Sequence, residues 1–201
     1  MNPSATDEYD VTAPNPHDVA MHRDRLSTEP PGSVDAGRIL KVNHAGEHGA
    51  VSIYTGQIAV ARFRARTLLP ELRSFKAHEE RHRDIFAREI RRRGVARCRS
   101  YWLCAIGGYT LGIVSGLLGV QAIAATTVAV ERVVLRHLTR QLADLGDRDP
   151  DAVAAISAIL KDEQQHHDQS AVRVDDTAFT RALGAIVSGA TEFVIWTGMR
   201  A

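Results

Sequence analysis

Two copies of the pattern Glu-x-x-His are the residues of this chain best suited to chemistry. Glu79 and His82 form the first copy, and Glu163 and His166 form the second. Residues three apart on a helix project from one face, so each copy presents a carboxylate and an imidazole to the same point. Together the two copies offer oxygen and nitrogen ligands for metal ions.

A further glutamate precedes each copy along the chain. Glu47 stands in the segment NHAGEHG before the first copy, and Glu131 stands in TVAVERVVL before the second. A glutamate on one helix and Glu-x-x-His on the next, repeated once, is the ligand set of a carboxylate-bridged di-iron site in a four-helix bundle. Four buried carboxylates need cations to neutralise them, and mixed oxygen and imidazole ligands suit iron or manganese. The spacing therefore predicts a di-iron centre that handles O2.

A single Glu-x-x-His has little weight, because residues 79–83 taken alone also fit a solvated helix face. Glu131 argues against that interpretation for the whole set. It ends an uncharged run over residues 100–130 and is followed by Val133 and Val134. A glutamate in such surroundings is expected to be partly buried, and a buried carboxylate needs a partner.

Hydrophobic periodicity from Asp35 onward predicts helices and no strand. An apolar, glycine-rich stretch at 107–119 separates the second predicted helix from the third, and Asp149 with Pro150 fits a helix start. The predicted fold class is all-α, a ferritin-like four-helix bundle with additional apolar, membrane-associating helices. The predicted helices cover residues 35–69, 71–93, 120–145, 151–174 and 179–199.

Composition limits the other possibilities. The 201 residues predict one domain over 34–201, after a polar tail at 1–33 that is expected to be disordered. A net charge of +1 gives no reason to expect a nucleic-acid partner. The two cysteines make no disulfide framework, and the N-terminus lacks a secretory apolar segment, so a cytoplasmic setting fits best. A glycine-rich nucleotide loop is also missing from the sequence.

Four segments resemble the demethoxyubiquinone monooxygenases of ubiquinone biosynthesis, which are di-iron proteins of the ferritin-like superfamily. They are RILKVNHAGEHGAVSIYTGQ, EERHRDIF, GLLGVQAIAATTVAVE and KDEQQHHD, and the likeness extends from residue 38 to the C-terminus. The resemblance implies two iron ions as cofactors, O2 as cosubstrate and a polyprenyl quinol as substrate. It carries the family's iron ligands onto the same six residues that spacing selects, which are Glu47, Glu79, His82, Glu131, Glu163 and His166.

The chain departs from the family pattern at three positions. His48 stands where a tyrosine is common, Arg132 where a second acid is common, and Leu138 where an aromatic residue is frequent. No departure removes a ligand. His48 offers another nitrogen, whereas Leu138 removes a possible phenol, so the departures concern details such as electron delivery.

Other residues near the predicted ligands have two interpretations each. His44 lies one turn before Glu47, and a supporting or helix-start role is preferred to ligation. Tyr54 shares the face of Glu47 and either hydrogen-bonds near the metal or is a buried structural residue. His167 lacks the spacing to Glu163 that His166 has, so it is expected outside the ligand set. His78 and His137 are interpreted as ordinary surface or core histidines.

The uncharged run at 100–130 is long enough to span a bilayer. Spanning would leave Glu131 and its bundle partners at the membrane edge, so an apolar surface dipping into one leaflet is preferred. Gly108, Gly112 and Gly116 repeat every four residues and would let helices approach closely. The arginines before this run either meet anionic headgroups or form a solvated helix end. They are Arg88, Arg91, Arg92, Arg93, Arg97 and Arg99.

Two functions fit these features. The first is a peripheral monooxygenase on the cytoplasmic side of the inner membrane, with electrons from a reductase or a nicotinamide, and with other ubiquinone-biosynthesis proteins as possible partners. The second is a ferritin-like or rubrerythrin-like iron store or peroxide scavenger. The apolar stretches at 101–130 and 182–196 favour the first, because an iron store is expected to have a polar exterior.

Overall fold

Helices account for nearly all of the chain that the computed structural model describes, which is residues 35–200. Within this range there are six α-helices and no strand, so the all-α prediction is confirmed. The predicted tail at 1–33 lies outside the described residues. The helices are α1 (Ala36–Arg64), α2 (Leu69–Arg92), α3 (Tyr101–Leu118), α4 (Val120–Leu145), α5 (Pro150–Ala171) and α6 (Ala178–Gly198).

Some helix bounds agree with those predicted from the local sequence, and others do not. The bounds of α4 are as predicted, and the Asp149 side chain caps α5 by accepting a hydrogen bond from the backbone N–H of Ala152 at 3.0 Å. The prediction that α1 runs up to Pro70 is wrong, because the chain leaves the helix at Ala65 (φ −147°). Pro70 lies in the first turn of α2, where its missing N–H has no intrahelical partner to lose.

Four of the helices form the bundle. α1 packs along α2 and α4 packs along α5, and the two pairs meet where α2 contacts α5 and α1 contacts α4. Separate apolar clusters fill the interior, one including Phe86 and Ile156 and another including Phe75 and Ile123. On α2, Glu79 and His82 fall between Phe75 and Phe86, so apolar side chains flank the polar pair on both sides along the helix.

The third helix lies directly on the first through its glycines. A Cβ on Gly108 would collide with the backbone of Gly49, and a Cβ on Gly112 with the backbone of Ile53. From the other side, a Cβ on Gly56 would lie 2.5 Å from the carbonyl oxygen of Tyr109. The predicted close approach of helices at this glycine repeat is confirmed. It fixes α3 to the helix that carries Glu47.

The uncharged run divides at Gly119, whose φ of +95° ends α3 and sets the start of α4. Residues 122–131 of α4 are buried in the bundle, so only α3 keeps an exposed apolar face from this run. α6 exposes a second such face. By length and composition alone, both helices could cross a membrane, with a mean hydropathy of 1.4 for α3 and 1.3 for α6. Their large exposed side chains include Trp102, Leu103, Ile106, Leu117, Leu118, Phe179, Ile186, Phe193 and Trp196.

Candidate active site

The bundle helices bring the six predicted ligands to one buried place. Two overlapping groups form, and within each group one ligand atom per residue lies within 4.8 Å of the others. Position A consists of Glu47, Glu79, His82 and Glu163. Position B consists of Glu79, Glu131, Glu163 and His166. Every one of these side chains is buried, with at most 5% of the residue exposed.

Glu79 and Glu163 belong to both positions. Nδ1 of His82 lies 2.8 Å from Oε1 of Glu163 and 3.6 Å from Oε2 of Glu79. Nδ1 of His166 lies 3.0 Å from Oε1 of Glu79 and 3.9 Å from Oε2 of Glu163. Each of these two carboxylates thus faces both imidazoles, which is the arrangement expected of carboxylates that bridge two metal ions.

The polar atoms at the centre of the cluster have no hydrogen-bond partner. They are both carboxylate oxygens of Glu79, Oε1 of Glu163, and Nδ1 of His82 and of His166. Buried polar atoms are nearly always paired, because leaving one unpaired costs about 1–3 kcal/mol. Five such atoms facing one another fit cations that bind them all. The chemistry of the donors, carboxylate oxygen with imidazole nitrogen, fits divalent transition metals.

Electrostatics point to the same need for a cation. Burial, followed by repulsion from Glu163 and Glu79, raises the pKa of Glu47 and of Glu131 well above 4.5. Burial opposes charge on His82, but the carboxylates of Glu163 and Glu79 that face it raise its pKa to about 11. Protons therefore neutralise part of the metal-free cluster, and a metal ion must displace them to bind.

Three side chains outside the ligand set contact proposed ligands on the side away from the metal positions. The hydroxyl of Tyr54 donates to Oε1 of Glu131 at 3.1 Å, so the hydrogen-bonding interpretation of Tyr54 agrees with the geometry. Nε2 of His82 lies 3.1 Å from Oδ2 of Asp162. Nε2 of His166 lies 3.1 Å from Nδ1 of His78. Partners of this kind fix the tautomer of a metal-binding histidine and raise its basicity.

Asp162 was not among the predicted site residues, and the interpretation of His78 as an ordinary surface or core histidine is wrong. A signal for both exists in the sequence, because each residue immediately precedes the glutamate of one Glu-x-x-His copy. The contacts cross between helices: Asp162 of α5 supports His82 of α2, and His78 of α2 supports His166 of α5.

The remaining histidines lie elsewhere. His44 is buried and stacks on Tyr101 at 4.9 Å, and burial followed by repulsion from Arg97 lowers its pKa to about 4. His48 also stacks on Tyr101, at 4.1 Å, and belongs to neither metal position. His167 contacts Asp168 at 2.9 Å and belongs to neither metal position.

The other two departures from the family pattern also have distinct places. Arg132 is exposed on α4, so its charge does not enter the cluster. Leu138 is buried in the core and lines a cavity next to the cluster.

A cavity of about 310 Å³ leads to the cluster. Its walls come mainly from apolar residues of α1, α3, α4 and α6, among them Ile53, Leu111, Val130, Leu138, Val187 and Ile195. Glu47, Glu79, Glu131 and Glu163 line it as well. Further polar lining comes from Asn43 and Gln141, whose side-chain amides hydrogen-bond reciprocally at 2.8 and 3.1 Å. His137, also on the wall, contacts Glu192 at 2.8 Å. The cavity therefore suits a largely apolar molecule with a few polar atoms.

Two arginines of the cluster before α3 form ion pairs within the protein. Arg93 makes a bidentate ion pair with Asp149 at 2.5 and 2.9 Å. Arg92 contacts Glu89 at 2.9 Å and Asp151 at 2.7 Å. For these two arginines the contacts favour a structural role at the helix end over one at lipid headgroups.

Comparison with known proteins agrees with the site. The family described as ubiquinone biosynthesis protein COQ7 matches residues 35–198. The chain is 34% identical over 180 residues to a 3-demethoxyubiquinol 3-hydroxylase of Rhodospirillum rubrum, a match covering 88% of this chain and 84% of that protein. It is 30% identical over 166 residues to the mitochondrial NADPH-dependent 3-demethoxyubiquinone 3-hydroxylase of Caenorhabditis elegans, covering 81% and 84%. The human protein of the same name is 33% identical over 136 residues, covering 65% and 61%.

The match spans all six helices and includes every residue of positions A and B. It confirms the resemblance that the four sequence segments indicated. This chain belongs to the COQ7 family of ubiquinone biosynthesis proteins.

Proposed function

We propose that this chain is an O2-dependent di-iron monooxygenase that hydroxylates the ring of a demethoxyubiquinol-type polyprenyl quinol. One observation carries the proposal: an apolar cavity ends on four buried carboxylates, two of which, Glu79 and Glu163, have oxygens without hydrogen-bond partners. An apolar substrate and a metal centre would thus meet in one place. The names of the relatives, which are hydroxylases of demethoxyubiquinol or demethoxyubiquinone, support the same reaction.

In this proposal the six ligands hold two iron ions. Glu47 and His82 would hold the ion at position A, Glu131 and His166 would hold the ion at position B, and Glu79 and Glu163 would be shared by both. Bound iron supplies the electrons and open coordination positions that O2 activation requires. Glutamate suits this role because a carboxylate can change between bridging and terminal binding. Asp162 and His78 keep the two imidazoles oriented, with Nδ1 directed at the cluster.

The cavity walls orient the substrate and exclude water. Apolar side chains of α3, α4 and α6 would enclose the quinol ring and the first part of its tail. Since Leu103 and Ile186 are both wall residues and exposed residues, we infer that the tail leaves between α3 and α6. The ring hydroxyls would find hydrogen-bond partners in the amides of Asn43 and Gln141.

The reaction also fixes what a partner must deliver. One oxygen atom of O2 enters a ring C–H bond and the other leaves as water, so each turnover takes two electrons and two protons from a donor. A nicotinamide or a separate reductase would supply them. The worm and human relatives are named NADPH-dependent, which favours a nicotinamide as the source.

We place the protein at the cytoplasmic side of the inner membrane, with the outer faces of α3 and α6 in one leaflet. The exposed aromatic and aliphatic side chains of these helices support contact with a membrane. A spanning α3 fits less well, because Gly108, Gly112 and Gly116 seat it along α1 of the bundle. An amphipathic element that is packed on one side binds a membrane by burying its other face.

The alternative function, an iron store or peroxide scavenger, uses similar ligands. It gives no reason for an apolar cavity that reaches the carboxylates or for two exposed apolar helices. The hydroxylase names of the relatives do not favour it either.

Expression in a strain that lacks the ring hydroxylase tests the proposal. Quinones extracted from the cells are analysed by mass spectrometry, and the demethoxy precursor is expected to disappear while the complete quinone returns. Glu163→Ala should leave the precursor in place. Accumulation of precursor with the unmodified protein, although it is folded and iron-loaded, would contradict the proposal.

A further inference from the structure

The two metal positions are related by a repeat that extends beyond the ligands. Glu47, Glu79 and His82 correspond to Glu131, Glu163 and His166. The residues immediately before Glu79 and Glu163 correspond as well, and so do the residues seven places after Glu47 and Glu131. At these two pairs of positions the residue types differ between the halves of the repeat. His78 corresponds to Asp162, and Tyr54 corresponds to Leu138.

The first break changes what stands behind each imidazole. Nδ1 of both ligating histidines faces the carboxylates, so Nε2 of each carries the proton and donates it outward. His82 donates to the carboxylate of Asp162 at 3.1 Å. His166 donates to Nδ1 of His78 at 3.1 Å, an imidazole nitrogen that lies 3.8 Å from Oδ2 of Asp162, beyond hydrogen-bond distance. An anionic acceptor makes the donating imidazole more electron-rich, and therefore a stronger ligand, than a neutral acceptor does.

The second break concerns Glu47 and Glu131, the carboxylates that belong to one position each. It also leaves the ligands of position A richer in electrons than those of position B. Tyr54 donates a hydrogen bond to Oε1 of Glu131 at 3.1 Å, and this bond draws electron density from the carboxylate at position B. The corresponding residue for Glu47 is Leu138, whose side chain has no donor. Glu47 at position A therefore keeps electron density that Glu131 shares with a phenol.

From these two breaks we propose that the metal positions are inequivalent. Position A is the electron-rich, tightly binding position, and position B is the weaker one that fills second. Asp162, His78 and Tyr54 act as positioning residues that set this difference. The inference rests on the proposed two-metal centre and adds an order of occupancy to it.

Titration of the metal-free full-length protein with cobalt(II), followed by calorimetry and visible absorption, tests the inference without turnover. The total stoichiometry tests the proposed centre, and the separate steps test the inference. Binding of fewer than two ions per chain would count against the proposed function itself. Two ions with the wrong variant behaviour would count only against the inequivalence.

The variants assign the steps. Two bound cations repel each other, so the second ion binds more weakly than the first in any such centre. Two binding steps alone therefore do not show that the positions differ. The assignment depends on which step each variant weakens or strengthens. Asp162→Asn is expected to weaken the tighter step about 10–100-fold and to bring the two steps together. His78→Asp gives position B an anionic acceptor and is expected to strengthen the weaker step by about tenfold. His167→Ala, which changes the neighbour of His166 outside the cluster, should move neither step.

Mössbauer spectroscopy of the iron-loaded protein provides a readout that a loss of packing would not mimic. Two distinct iron signals are expected in the unmodified protein. Tyr54→Phe should shift one of them, His78→Asp should shift that same signal, and Asp162→Asn should shift the other. The inference is overturned if Asp162→Asn and His78→Asp move the same step, if either moves both steps equally, or if the unmodified protein gives one iron signal.

Discussion

At the scale of single residues, the cluster is organised around charge that the metal-free protein cannot hold. Glu47 and Glu131 are buried beside two further carboxylates, and both have a pKa raised well above 4.5 by burial and then by that repulsion. In the metal-free protein they are therefore stable as neutral acids. A metal ion reverses this preference by binding the charged form.

This arrangement predicts a pH-dependent stability of the metal-free protein. A carboxyl with a raised pKa stabilises the fold fully below 4.5, and the stability is lost as the pH rises through the raised value. The pKa of His82 is raised to about 11, so its contribution to the free energy of unfolding also falls as the pH rises above 6.5. Buried His44, with its pKa lowered to about 4, opposes the trend only below 6.5.

Chemical denaturation of the metal-free protein should therefore show stability falling as the pH rises above 6.5. The slope should be shallower in Glu131→Gln, since one ionisable carboxyl is gone, and metal-loaded protein should not show the fall. A rise in stability of the metal-free protein over that range would mean that the carboxylates are neutralised in some other way.

A pair of adjacent histidines gives the second prediction. His166→Ala removes a ligand of position B and should abolish ring hydroxylation together with binding of one metal ion. His167→Ala should keep both, because His167 contacts Asp168 outside the cluster. Metal analysis and quinone mass spectrometry measure the two effects. Full activity in His166→Ala with loss in His167→Ala would show that the other imidazole is the ligand.

The six proposed ligands were predictable from the sequence, because helical spacing alone selects Glu-x-x-His and the glutamates before it. His78 and Asp162 were not singled out, since their roles depend on how α2 and α5 face each other across the bundle. Periodicity within one helix carries no such information. The amide pair of Asn43 and Gln141 escaped for the same reason, because it joins α1 to α4 across 98 positions of sequence.

At the scale of the helices, the contact between α1 and α3 positions the apolar surface relative to the metal cluster. The glycines of α3 meet backbone atoms of α1, and α1 carries Glu47 in the same region. The four-residue glycine repeat predicted a close approach of helices, and the structure shows that the partner is α1. No helix start was predicted at Tyr101, because the residue before it, Ser100, makes no side-chain cap.

Two glycines of α3 therefore make a matched test of that contact. Gly112→Ala places a methyl group against the backbone of Ile53 and should destabilise the protein by about 1–3 kcal/mol. Gly107→Ala adds the same methyl group where nothing lies within 4 Å, and should be neutral or stabilising by up to about 1 kcal/mol. Thermal or chemical unfolding of both variants measures the difference. Equal effects would mean that α3 does not pack closely on α1.

At the scale of the whole molecule, polar and apolar functions lie on different helices. α2 and α5 carry the histidines together with Asp162 and His78, which reach partly exposed positions. α3 and α6 carry the exposed apolar side chains and line the cavity. A substrate with an isoprenoid tail can thus approach from lipid while the histidine side of the cluster faces the aqueous surface.

Membrane association should depend on these exposed apolar side chains. Ile106→Ser, Leu117→Ser and Phe193→Ser, combined in one variant, change residues of α3 and α6 that do not line the cavity. The variant should release the protein from liposomes, keep its metal and remain active on a short-tailed quinol. Val172→Ser, an exposed apolar residue at the end of α5, is the control and should leave liposome binding intact. A triple variant that stays bound would exclude this surface as the membrane contact.

If the buried cluster uses iron and O2 to hydroxylate a quinol ring, a single turnover with isotopically heavy O2 should label the product. Purified iron-loaded protein is reduced chemically without air, supplied with a short-tailed demethoxy quinol and exposed to the heavy gas. We expect a ring-hydroxylated product that carries one heavy oxygen atom, and we expect no such product from Glu163→Ala. A product whose new oxygen comes from water, or oxidation of the iron without any hydroxylated quinol, would contradict it.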